Sequence, residues 1–238
     1  MRAGVFCLMA ALAGCSSGGT TERPGLRVAE EALRAGSPEI ALQVAQGVLS
    51  QAPDDVPALL IQGEANLLTG KTDEAGTAFQ HALRLKPNSV PGKLGLGRLR
   101  LSTDTAEAMS LFQDVLKQEP RNLSALNNLG IARDLLGDHR QAQEAYRQVL
   151  AIDPANGAAK VNLALSMAMS GNANDAIALI APLATAAGAT PRLRHDYAVV
   201  LAMAGKEGEA ERILRTDLSS EQVKEVLAAL RQQRSGGS

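Results

Sequence analysis

Three histidines and two cysteines are the side chains best able to hold a metal or attack an electrophile, and their placement does not support either. His81, His139 and His195 are widely separated and have no cysteine or paired carboxylate at ligand spacing, so no zinc-type set forms. Cys7 and Cys15 both lie in an apolar N-terminal stretch, where targeting fits better than a disulfide framework. Gly95-Leu96-Gly97 has the small residues of a phosphate loop, but no strand pattern precedes it. Acidic runs such as Asp73-Glu74 read as solvated helix faces. Neither a catalytic set nor a cofactor is expected, and a net charge of −1 argues against a nucleic-acid partner. The side chains that remain suit contact with another polypeptide. The amides of Asn127, Asn128 and Asn162 can donate and accept at once. Met169 and Met203 carry flexible thioethers that adapt to apolar surfaces of varied shape.

The elements that position these residues repeat along the chain. Alanine recurs at Ala41, Ala75, Ala108, Ala142, Ala176 and Ala210, with spacings of 34, 33, 34, 34 and 34. A second small residue recurs at Ala29, Gly63, Gly97, Gly130, Ala164 and Ala198. Two helices approach closely only where side chains are small, so these positions mark packed helix pairs. Glycine recurs at Gly36, Gly70, Gly137, Gly171 and Gly205, where positive φ can end a first helix. The third unit replaces it with a shorter turn at Ser102-Thr103-Asp104. Pro53, Pro87, Pro120 and Pro154 separate one unit from the next, since proline cannot continue a helix. Phe79, Phe112 and Tyr146, three of only five aromatics, share one repeat position.

The stretch 123–156, with Leu126, Leu129, Gly130, Ala142, Tyr146 and Asp153-Pro154, resembles the tetratricopeptide repeat (TPR), a helix–turn–helix unit of about 34 residues. The expected fold is all-α: a right-handed TPR solenoid of about six repeats over 22–217, in units 22–55, 56–89, 90–122, 123–156, 157–190 and 191–217. Pro182 is expected to kink the fifth unit's second helix near Ala178. Ser219 and Gln222 have capping-box spacing, and Val223, Val226, Leu227 and Leu230 form an apolar stripe, so 218–233 reads as a helix capping the stack. Residues 234–238 read as a disordered tail.

The TPR resemblance implies a concave face built by the first helices and used to bind partners. Carried over position by position, it assigns that groove Asn127, Asn128, Ile131, Asp134 and Leu135 from the fourth unit. The fifth unit supplies Val161, Asn162, Leu165 and Met169, and the sixth His195, Val199 and Met203. Units two and three add Glu64 and Arg98, with Leu60, Leu67, Leu94 and Leu101. Asn128 and Asn162 share a repeat position, and in TPR grooves such an asparagine ladder can hydrogen-bond an extended peptide. The lysine-rich pattern of carboxylate-binding TPR grooves is not present, which argues against capture of a C-terminal carboxylate.

At the N-terminus, Arg2 precedes an apolar run at 3–14 that is too short to span a bilayer but suits a signal peptide. Leu12-Ala13-Gly14-Cys15 resembles the lipobox of bacterial lipoproteins. That resemblance implies a signal peptide over 1–14, acylation of Cys15 and, with Ser16 rather than Asp following, the periplasmic face of the outer membrane. Residues 15–21 read as a lipidated flexible tether. The C-terminal half carries Pro182-Leu183, Gly188-Ala189-Thr190-Pro191-Arg192, Ala210-Glu211-Arg212, Asp217-Leu218 and a final helix through Leu227 to Arg231. With the lipobox, these features resemble the TadD-type lipoproteins of the tight-adherence (Flp) pilus system. The resemblance implies a non-enzymatic scaffold that contacts the secretin or other pilus-assembly components. The alternative is a general cell-envelope TPR lipoprotein, or a pilotin for another secretion system.

Overall fold

The computed structural model describes residues 24–236, so Cys15 and the expectations for 1–21 lie outside the described residues. Thirteen helices, and no strand, occur among the described residues. They are α1 (Pro24–Arg34), α2 (Pro38–Leu49), α3 (Val56–Leu68), α4 (Thr72–Leu85), α5 (Val90–Arg100) and α6 (Thr105–Gln118). Then follow α7 (Leu123–Leu135), α8 (His139–Ile152), α9 (Gly157–Met169), α10 (Ala173–Ala184), α11 (Pro191–Met203), α12 (Glu207–Leu214) and α13 (Ser220–Gly236). The fold is all-α, as the repeat pattern predicts: helices pair as hairpins, and each odd-numbered helix also packs on the next odd-numbered one.

Local chemistry fixes where each helix begins and ends. Asp55, Ser89, Asn122, Asn156 and Thr190 cap the first helices, each accepting a hydrogen bond from the backbone N–H three residues on. This satisfies amide groups that a helix start would otherwise leave unpaired. The turn glycines Gly36, Gly70, Gly137, Gly171 and Gly205 all adopt positive φ, between 73° and 90°. In the third hairpin Asp104 takes over, accepting from the Glu107 N–H at 2.9 Å as the cap of α6.

The aromatic at the shared repeat position sets the spacing between hairpins. A methyl group on Gly63 would stand 2.6 Å from the Phe79 ring, and one on Gly95 2.4 Å from it, so Phe79 is wedged between α3 and α5. Gly97 receives Phe112, and Gly130 receives Tyr146, in the same way. Each ring is fully buried, which stabilises the stack by roughly 1.5–3 kcal/mol per side chain.

Helices α10 and α13 bear on the expectations for the C-terminal part. Helix α10 runs on through Pro182 to Ala184, and the chain then turns at Gly188 with φ 91°. Helix α13 extends to Gly236, beyond the predicted 218–233, so the predicted disordered tail is helical at its start. The extension has anchors: Arg234 donates to the Ala202 carbonyl at 3.0 Å and to Glu207 at 3.3 Å, while Arg231 donates to Glu207 at 2.8 Å. The capping box itself forms, with the Ser219 N–H donating to the Gln222 side chain and the Gln222 N–H to Ser219 Oγ. Val223 and Leu227 of α13 join Ile180, Leu201 and Leu214 in the largest apolar cluster of the core.

Candidate functional site: the inner face of the first helices

One position, nine residues into each of the second to sixth hairpins, runs along the inner face as Glu64, Arg98, Ile131, Leu165 and Val199. It changes character halfway. Glu64 and Arg98 pair as carboxylate and guanidinium between α3 and α5. Beyond them the stripe is apolar, and a cleft of about 200 Å³ opens between α7 and α9. Ile131, Asp134, Leu135, Asn162, Leu165 and Met169 line it, with Tyr146 at its base. Leu135 and Met169 remain 58% and 40% exposed there. A second cleft of about 710 Å³ continues from Leu135 and Met169 to Met203 and Arg234 at the turn edge.

The structure therefore brings together six of the twelve residues assigned to the groove from the fourth, fifth and sixth units, and a seventh, Met203, in the adjoining cleft. Asn127, Asn128, Val161, His195 and Val199 line neither. Val161 is half-buried and packs against the C-terminal core. His195 lies against the cap, with Nε2 3.6 Å from the Asp217 carboxylate. Asp217 is already held by two donors from Arg194, and this pairing lowers its pKa below the usual carboxylate value.

Two side chains behave differently from the sequence reading. Asp134, assigned to partner contact, is engaged inside the protein. It accepts from Tyr146 Oη at 2.9 Å and from Ser166 Oγ at 2.7 Å, and His139 Nδ1 lies 2.8 Å away. This carboxylate thus ties α7, α8 and α9 together. Burial, then the adjacent Asp134 charge, pushes the Tyr146 hydroxyl well above the ordinary tyrosine pKa, so it stays a donor. The asparagine ladder is also offset. Asn162 donates to Asn127 Oδ1 at 3.0 Å, 35 residues away, whereas Asn128 makes no side-chain hydrogen bond among the described residues. Asn162 is therefore partly committed to holding α9 on α7.

Tyr146, Ser166 and Arg234 were not singled out for the inner face from sequence. A signal for the first existed. Asp134 stands where the other units carry Leu67, Leu101, Ala168 and Ala202, and Tyr146 carries the one hydroxyl among the three equivalent aromatics. A lone acid and a lone hydroxyl in the same hairpin pointed to each other. Asp196, at the repeat position of Asn128 and Asn162, has its pKa raised chiefly by burial.

Known proteins agree on the class. Residues 41–160, half of the chain, match the family described as the cytochrome c-type biogenesis protein H TPR domain, and residues 135–195 match a tetratricopeptide-repeat family. The chain belongs to the tetratricopeptide-repeat proteins. It is similar to the crystal structure of PilW, a widely conserved type IV pilus biogenesis factor, with a TM-score of 0.72 and 22% identity, covering 85% of this chain and 96% of that one. A thermophilic TPR protein of Thermus thermophilus has a TM-score of 0.65 at 22% identity, covering 74% of this chain and 97% of its own. At these identities the likeness is one of fold. In sequence, the chain is 35% identical over 111 residues to the CTR9 homolog of Arabidopsis thaliana, 44% of this chain. It spans about a tenth of the length of that relative.

Proposed function

We propose that this protein is a lipid-anchored scaffold on the periplasmic face of the outer membrane. In this reading it binds protein partners during assembly or localisation of a tight-adherence (Flp) pilus and its secretin. The observation that carries partner binding is the uncovered apolar cleft, where Leu135 and Met169 are exposed beside Ile131 and Leu165. Contiguous exposed apolar surface on a folded domain marks an interaction site. The pilus assignment is supported by the resemblance of the C-terminal half to TadD-type lipoproteins. The anchor rests on Leu12-Ala13-Gly14-Cys15.

The likeness to PilW favours a second reading, a scaffold for a different pilus. A photo-crosslinking residue in place of Leu135, in the lipidated chain in its native membranes, separates the two. Adducts with a secretin or another Flp component support the first reading, and adducts with components of another pilus system the second. Absence of any assembly component among the adducts rejects both. Cys15→Ser is expected to release the chain from the outer-membrane fraction, and continued flotation with that membrane would reject the anchor.

A further inference from the structure

The second hairpin carries a feature that no other hairpin shares. Where the first helices α3, α5, α7, α9 and α11 meet the second helices, the chain places Gln62, Leu96, Leu129, Leu163 and Tyr197, and one turn further on Asn66, Arg100, Arg133, Met167 and Leu201. The leucines, Tyr197 and Leu201 are core residues, and Met167 packs against the core. Arg100 is spent on Glu107, and Arg133 donates to the Gln141 carbonyl. Only α3 puts amides at both positions, and there a cleft of about 440 Å³ opens on the outer side, between α2 and α4 with α3 as its floor.

Asn66 lines this cleft and is only 4% exposed, yet no hydrogen bond among the described residues reaches its side chain or that of Gln62. The buried side-chain atoms without a hydrogen-bond partner among the described residues belong to Arg98, Arg100, Arg133 and His195, so the Asn66 amide opens onto the cleft and is available to an incoming group. The rim is acidic. Asp73 and Glu74, exposed on the first turn of α4, make no ion pair among the described residues. Lys71 opposes them, while His81 is held by Asp54 at 2.8 Å.

We infer that this outer cleft is a binding site for an arginine side chain presented by a partner polypeptide, separate from the inner-face groove. A planar guanidinium carries five N–H donors, enough to meet the amide oxygens of Asn66 and Gln62 at the floor and the carboxylates of Asp73 and Glu74 at the rim. Lysine brings a compact charge without that fork and meets fewer of these acceptors. A glutamate would face Asp73 and Glu74 as a like charge.

The test uses the full-length chain with ¹⁵N in its asparagine and glutamine side chains, titrated with acetyl-Ala-Arg-Ala-amide and with its lysine and glutamate counterparts. The arginine peptide is expected to shift the Asn66 and Gln62 side-chain signals saturably. Binding should be about tenfold weaker for lysine and absent for glutamate. Asp73→Asn with Glu74→Gln is expected to weaken arginine binding about tenfold or more. Asn66→Leu is expected to abolish it and to raise the thermal midpoint, because leucine fills the cleft as Leu201 fills its counterpart. No response to the arginine peptide at about 10 mM, above the millimolar range of a single-residue contact, overturns the site. So does an equal response to the glutamate peptide, or an arginine response that survives both variants. A lower thermal midpoint in Asn66→Leu would make the amide structural and likewise overturn it.

Discussion

Glu64 and Arg98 occupy the same repeat position as Ile131, Leu165 and Val199, so the inner face offers two versions of one surface. In the first half the position is closed by an ion pair between neighbouring helices. In the second it is left apolar and open, and the cleft forms there. The aromatics repeat this contrast. Phe79 and Phe112 pack beside Leu67 and Leu101, whereas Tyr146 meets Asp134 at the position of those leucines. A repeat protein can therefore hold its packing constant and still specialise one segment, because each hairpin touches only its neighbours. The second half joins its helices through buried polar bonds and leaves its apolar side chains available to a partner.

The strongest way to break this comparison is Tyr146→Ala. It removes the ring that spaces α7 from α9 and the donor that holds Asp134, and should cost about 3–5 kcal/mol in denaturant unfolding. Phe112→Ala should cost as much without freeing a carboxylate. A loss for Tyr146→Ala near that of a surface substitution would refute the wedge.

Leu135→Glu with Met169→Glu comes next. Both side chains are exposed, so stability should move by no more than about 0.5 kcal/mol per site, while partner affinity falls about tenfold or more. Unchanged affinity, measured on the partner found by crosslinking, would remove the cleft from the binding face.

Tyr146→Phe sharpens the contrast by keeping the ring and losing the hydroxyl. Asp134 then lacks one of its donors, at a cost of about 1–2 kcal/mol. The variant should also differ at alkaline pH. The folded pKa of Tyr146 lies above its unfolded value of about 10, so the neutral hydroxyl contributes stability that is present below that pH and is lost as pH rises beyond it. Tyr146→Phe should lose less stability between about pH 10 and 12 than the parent. Identical alkaline curves would contradict the buried donor.

The smallest effect is expected from Glu64→Leu with Arg98→Leu. The pair is partly exposed, so stability should change by no more than about 1 kcal/mol. The substitution should lengthen the apolar stripe toward α3 and bind an apolar environment-sensitive dye more strongly. A large stability loss would mean the ion pair holds the first half together.

Much of the architecture could be read from the chain because its determinants are local and repeated. Gly137 and Gly171 announce their turns by the positive φ they adopt, and Ala142 announces close packing by its size. What escaped depends on how one hairpin sits on the next. The repeat register aligned Asn128 with Asn162, but the Asn162 amide reaches across to Asn127 instead. Asp134 looked like a groove residue by position, and only the Tyr146 and Ser166 hydroxyls reaching it from two other helices reveal its commitment. The end of α13 was hidden in a polar sequence whose helicity depends on Glu207, in a helix of the preceding hairpin. The outer cleft escaped because Gln62 and Asn66 read as ordinary surface residues, and only the packing of α2 and α4 around α3 makes them its floor.

The largest apolar cluster is assembled from α9 through α13 and includes Val223 and Leu227. A ribosome makes those two residues after every member of the smaller clusters. The smaller clusters therefore have all their residues before the largest one does, and removing α13 would take Val223 and Leu227 from that cluster alone.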